Sequence, residues 1–107
     1  VAFALLAAAA LALAPGCSTW RGARLYASGT EALEAGDAST AIAHLERAAE
    51  LVPRSGDVHN HLGIAYLQAG RHEAARWAFA RAVALDCSDP AAAINLRRLE
   101  ARAEGAH

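Results

Sequence analysis

From Ala23 onward, small and apolar residues fall on helical stripes that Gly, Asp and Pro interrupt at regular intervals. Residues 23–35 put Leu25, Ser28, Gly29 and Ala32 on one side of a helix, because positions three and four apart share a face. Gly36 ends that helix, and Asp37 supplies an acceptor for the free N–H groups of the next. Residues 38–51 carry Ala41, Leu45 and Ala48 on one stripe, and Pro53 stops them. A second pair follows, near 57–69 with Ser55 as its cap and near 72–85 after Gly70. Asp89-Pro90 opens a fifth helix, 90 to about 103, with Asp as cap and Pro at the first helical position. The pattern predicts an all-α chain of paired helices.

The pairs repeat. Moving back 34 positions takes Gly63 to Gly29, Leu67 to Leu33, Gly70 to Gly36, Ala75 to Ala41, Phe79 to Leu45, Ala82 to Ala48 and Leu85 to Leu51. With Leu62-Gly63 and Tyr66, this order and period resemble the tetratricopeptide repeat, a helix–turn–helix unit that stacks into a solenoid. The resemblance implies a short right-handed solenoid of two repeats, 22–55 and 56–89, a capping helix over 90–104 and a tail, 105–107. Small residues at Gly63 and Ala82 are expected to let helices approach closely while Tyr66 and Phe79 fill the space beside them. Ala32 stands where the family prefers Tyr, and Cys87 replaces the terminating Pro. In the last helix Leu96 keeps register with Leu62, but Arg97 takes the Gly63 position and Glu100 that of Tyr66. Charges there mark a solvating cap. Two units and a cap fall short of the roughly three repeats a solenoid normally needs. That shortfall points to a protein partner, a homodimer or docking on a membrane, the alternative being that the cap suffices.

In the family, the first helix of each repeat lines a concave groove that holds a segment of another protein. The positions this implies are Tyr26, Thr30, Leu33 and Glu34, then Asn60, His61, Ile64, Leu67 and Gln68, then Ile94, Asn95 and Arg98. Apolar anchors flanked by hydrogen-bonding groups suit a peptide. A family subset clamps acidic chaperone tails with cations, but the corresponding Tyr26, Thr30, His61, Ala91 and Asn95 include none. That partner is not expected.

Ahead of the repeats lies Val1–Ala14, an uncharged apolar run. It is shorter than the roughly 20 residues of a membrane span and suits the apolar core of a signal peptide, expected over 1–16. Leu13-Ala14-Pro15-Gly16-Cys17 resembles the bacterial lipoprotein lipobox, with Ala14 in place of the preferred Leu and no basic leader. The resemblance implies cleavage before an acylated Cys17, a lipidated tether over 17–21, and a place at the bacterial cell envelope. Ser18 lacks the Asp that retains such proteins at an inner membrane. In a two-membrane organism this points to the periplasmic side of the outer membrane. An ordinary secretory signal, or a packed helix with free Cys17, is the alternative. Trp20 is expected either at the lipid headgroups or over the open end of the first helix. The chain begins without Met, as expected of an alternative start codon or lost leading residues.

Composition narrows the function. The formal net charge is −1 and all basic residues are Arg, which gives no electrostatic argument for nucleic acid, whose binders carry a basic patch or stripe. The wealth of Ala and Arg reads as the codon bias of a GC-rich genome. His59 and His61 lie two apart, on different sides of a helix, and no His pair has the i,i+4 spacing of helical metal sites. His59 is expected between the repeats and His61 toward the groove. No phosphate loop, nucleophile elbow or zinc spacing is present, and Cys87 is left as a lone thiol. Glu31, Glu34, Glu46, Glu50 and Glu73 read as solvated helix surface. No cofactor is expected, and an enzyme is disfavoured. The resemblance implies a lipid-anchored adaptor like the accessory factors of pilus and secretion machines, with outer-membrane assembly or cell-wall enzymes as alternative settings. An envelope ligand-binding protein or enzyme using the His residues is the remote alternative.

Overall fold

The computed structural model describes residues 16–105. The expected signal segment up to residue 15, and residues 106–107 of the tail, lie outside them. Five helices follow one another: α1 Cys17–Glu34, α2 Ala38–Leu51, α3 Gly56–Gln68, α4 His72–Leu85 and α5 Pro90–Gly105. α1 packs on α2 and α3 on α4 as hairpins, with α2 against α3 and α4 against α5 joining them into a stack. The described residues form a short all-helical solenoid.

Local chemistry sets the helix ends. Asp37 accepts from Thr40 N at 3.2 Å and Ser55 from Val58 N at 3.3 Å, closing donors that a helix start leaves open. Asp89 accepts from Ala91 N at 3.0 Å beside Pro90. Gly36 and Gly70 end the first helix of each hairpin at φ 77° and 75°, a left-handed turn that costs any residue with a Cβ. In both, a backbone N–H reaches back around the turn: Asp37 N to Ala32 O at 2.9 Å and Arg71 N to Tyr66 O at 2.8 Å.

The start of α1 differs most from the expectation. Residues 17–21, read as a tether, are helical, because α1 starts at Cys17 instead of Ala23. Residues 17–21 of this extension stay exposed, and Gly22, buried against Val52 and Leu51, is the first residue of α1 that the rest of the stack holds.

The core repeats with the sequence. Leu45 presses on Gly29, and 34 residues later the Phe79 ring presses on Gly63. A Cβ on Gly63 would stand 2.5 Å from Phe79 Cε1, so the ring occupies the glycine's socket instead of the space beside it. Ala82, buried, stands at the neighbouring crossing, its carbonyl 3.4 Å from where a Gly56 Cβ would lie. Leu33, Ala41, Leu62, Tyr66, Ala75, Ala78 and Leu99 complete one continuous apolar cluster. Ser28, expected on the α2 side, is exposed, and Gly22 takes that role. Arg97 and Glu100 are exposed, leaving Ala92 and Leu99 as the buried residues of α5.

Candidate functional site

The inner faces of α1, α3 and α5 lie side by side, tied by hydrogen bonds between residues 35 apart. Tyr26 Oη lies 3.2 Å from His61 Nδ1, and Asn95 Nδ2 donates to Asn60 Oδ1 at 3.0 Å. Gln68 Nε2 donates to Leu33 O at 3.4 Å. The first two are one rung repeated, since Tyr26 and Asn60, like His61 and Asn95, are 34 apart. Such rungs fix the spacing of neighbouring first helices and satisfy polar groups that stacking would otherwise strand.

Each rung has a definite chemistry. His61 Nδ1 also stands 2.9 Å from Asp57 O. A carbonyl oxygen only accepts, so Nδ1 carries the proton and shares it between Asp57 O and Tyr26 Oη. The rings of Tyr26 and His61 meet edge to face with centroids 5.2 Å apart. Burial, then the Asp57 carboxylate, pushes the Tyr26 phenol above its ordinary pKa. Thr30 is spent within its own helix, donating to Ala27 O at 2.9 Å and Tyr26 O at 3.1 Å.

The expected groove positions thus divide. Leu33 and Asn60 are buried, and this corrects their assignment: they pack and brace the helices and offer a partner little surface. Tyr26, Thr30 and His61 are half-buried and internally bonded. Ile64 and Leu67 are half-buried against the core, Ile94 is 37% exposed, and Glu34, Gln68 and Arg98 are exposed. What remains free is an apolar strip of Ile64, Leu67 and Ile94 with Arg98, Glu34 and Gln68 near it. Where α1 meets α3, a shallow pocket of about 270 Å³ lies between Thr19, Ala23 and Tyr26 on one side and Asp57 and Val58 on the other.

A model of the tetratricopeptide repeat matches residues 26–92, well over half of the 107-residue chain. The chain belongs to the tetratricopeptide repeat family. A search of the curated proteins finds no match. Tetratricopeptide repeats are generally non-catalytic modules that bind protein partners, and a role in protein–protein interaction follows for this chain.

The outer face of the tetratricopeptide stack holds residues that the reading of first helices missed. Trp77 on α4 is 62% exposed and forms, with Pro53, His59, Tyr66 and Glu46, a wide cleft of about 590 Å³. The signal was a large aromatic at the position where the first repeat has Ala43. His59, expected between the repeats, is there: its Nε2–H donates to Pro53 O at 3.1 Å and its ring meets Trp77 edge-on. Glu46, read as solvated surface, accepts from Tyr66 Oη at 2.7 Å. Burial first, then that bond, pushes the Tyr66 phenol to about 12. Arg71 lies over the same ring, 4.7 Å from its centroid. Cys17 and Cys87 are exposed free thiols. Among the described residues, no His, Cys, Asp and Glu group is arranged to hold a metal ion, and no helix is long and apolar enough to cross a membrane.

Proposed function

We propose that this tetratricopeptide protein is a non-enzymatic, lipid-anchored adaptor that holds a segment of another polypeptide against α3 and α5 at the bacterial envelope. The observation that carries the binding half is the apolar set of half-buried Ile64 and Leu67 with exposed Ile94, beside Arg98 and Gln68. The polar side chains of the rungs serve one another, so a partner gains by covering the apolar residues and pairing with Arg98 and Glu34 at the rim. Support for the anchor comes from sequence: the apolar Val1–Ala14 run closing on Pro15-Gly16-Cys17. The proposed setting is pilus or secretion-machine assembly, on the periplasmic side of the outer membrane where there are two, and what supports it is the lipobox-like run joined to the repeats.

A photocrosslinking amino acid at Leu67 or Ile94, in cells, tests the groove against the same residue at Ala43 or Ala84 on the outer surface. Adducts to a defined protein at the first two sites alone are the expected result. Adducts of equal yield at all four, or at none, overturn the groove. Labelled palmitate, incorporated by the natural chain and lost in Cys17→Ser, tests the anchor separately.

A further inference from the structure

α1 carries a face that nothing in the solenoid covers. Gly22, Gly29 and Leu33, buried against the rest of the stack, define its inward side. At 3.6 residues per turn, Cys17, Trp20, Arg21, Arg24 and Ser28 lie on the opposite side, and all five are exposed. Trp20 keeps 66% of its surface accessible, so it does not close the open end of the helix. Arg21 and Arg24 border a surface hollow with Leu25 and Ser28. Among the described residues the ion pairs are Arg47–Glu50 and Arg76–Glu73, and neither arginine of this face enters one. No Asp or Glu occurs from Cys17 to Thr30. The first acid on this face, Glu31, lies about 20 Å along the axis from Cys17 at about 1.5 Å per residue.

We propose that this face of α1 lies on an anionic lipid surface, with Trp20 among the headgroups and Arg21 and Arg24 on lipid phosphates. The proposal rests on the reading of Cys17 as the acylated residue. Trp20 and Arg21 follow Cys17 by one turn and Arg24 by two, so the surface that receives the acyl chains meets an indole and two guanidinium groups. An indole favours the headgroup level, and a guanidinium matches phosphate in two-point geometry. Leaflets of negative surface potential draw such cations in. The docked helix then fixes the orientation of the stack. α2 packs on the far side of α1, away from lipid, and Tyr26 and Thr30 stay clear of it, so the groove remains open.

The test uses the acylated full chain in vesicles of phosphatidylcholine, with and without phosphatidylglycerol. Trp77→Phe leaves Trp20 as the sole tryptophan. Its emission is expected to shift to the blue, and its quenching by brominated lipid to rise, as phosphatidylglycerol is added. Both effects reverse in about 0.5 M salt, where charge attraction is screened within a few ångströms. Arg21→Gln with Arg24→Gln lowers the docked-to-undocked ratio about fivefold per arginine, the factor for about 1 kcal/mol per basic residue. Acylated protein whose Trp20 stays water-like at every lipid composition overturns the docking face while leaving the anchor. Mass analysis of the Cys17 peptide in the same samples separates the two: an unmodified thiol overturns the anchor and this face with it.

Discussion

Replacing Gly63 by Ala tests whether the glycine is a socket or merely a poor helix former. In an exposed helix interior the change stabilises by about 1 kcal/mol, since Ala has the better propensity. Here the new methyl would stand 2.5, 2.6 and 2.9 Å from three carbons of the Phe79 ring. Carbon pairs reach their minimum at about 3.5–4.0 Å, so the ring or one helix has to move by about an ångström. Phe79 is wholly buried in a close-packed core. Overpacking of this kind costs about 1–3 kcal/mol. With three short contacts on a closed ring, the upper end applies, and a net loss of about 2 kcal/mol remains after the propensity gain. At about 1 kcal/mol per molar in urea, the midpoint should fall by roughly 2 M. Circular dichroism at the helix band during urea titration reads it. The cycle with Phe79→Ala isolates the cause, since a Leu would press on position 63 as Leu45 does on Gly29: once the ring is gone, Gly63→Ala should cost nothing or stabilise, a coupling of about 2 kcal/mol or more. A Gly63→Ala protein as stable as the parent, or equal penalties in both backgrounds, would refute the socket.

Three further outcomes follow from particular residues. Gly70→Ala should cost about 1–2 kcal/mol by thermal melting, because φ is 75° with open space around the Cβ, and Gly70→Asn should recover part of it. An equal loss in both would trace the effect to something besides backbone handedness. Asn95→Ala leaves Asn60 Oδ1 buried without its donor, a loss of about 1–3 kcal/mol in urea, and a neutral substitution would remove the rung from the energetics. Tyr66 gives an alkaline signature: its pKa is raised from the ordinary 10.0 to about 12, so the fold favours the protonated phenol. That stability is complete below pH 10.0, declines above it and is gone past about pH 12. The chain has no Lys to titrate alongside, but the Tyr26 phenol is raised as well, so Tyr66→Phe should reduce this part of the stability–pH curve to the Tyr26 share. An unchanged slope would count against the raised Tyr66 pKa, whose first cause is burial.

The sequence alone determined the helices and their order. Period, caps and stop signals are local, so 38–51 and 72–85 were legible residue for residue. The match of Gly29 with Gly63 and of Leu45 with Phe79 announced a repeated packing unit before any coordinate. Tertiary structure decided which side chains remain free. Leu33 and Asn60 occupy groove positions by register, yet neighbouring helices bury both. Asn60 is claimed by Asn95, and His61 by Tyr26 and Asp57, and the partners on other helices lie across distances that no local pattern encodes. Glu46 and Trp77 show the same limit on the outer face. Helical position tells which way a residue points, but whether it meets a neighbour depends on how closely two helices stack. The burial of Gly22 had the same origin, because Val52 and Leu51 meet it from the end of α2. Local chemistry fixes where a helix can form; exposure is a property of pairs of helices, and only the assembled stack determines it.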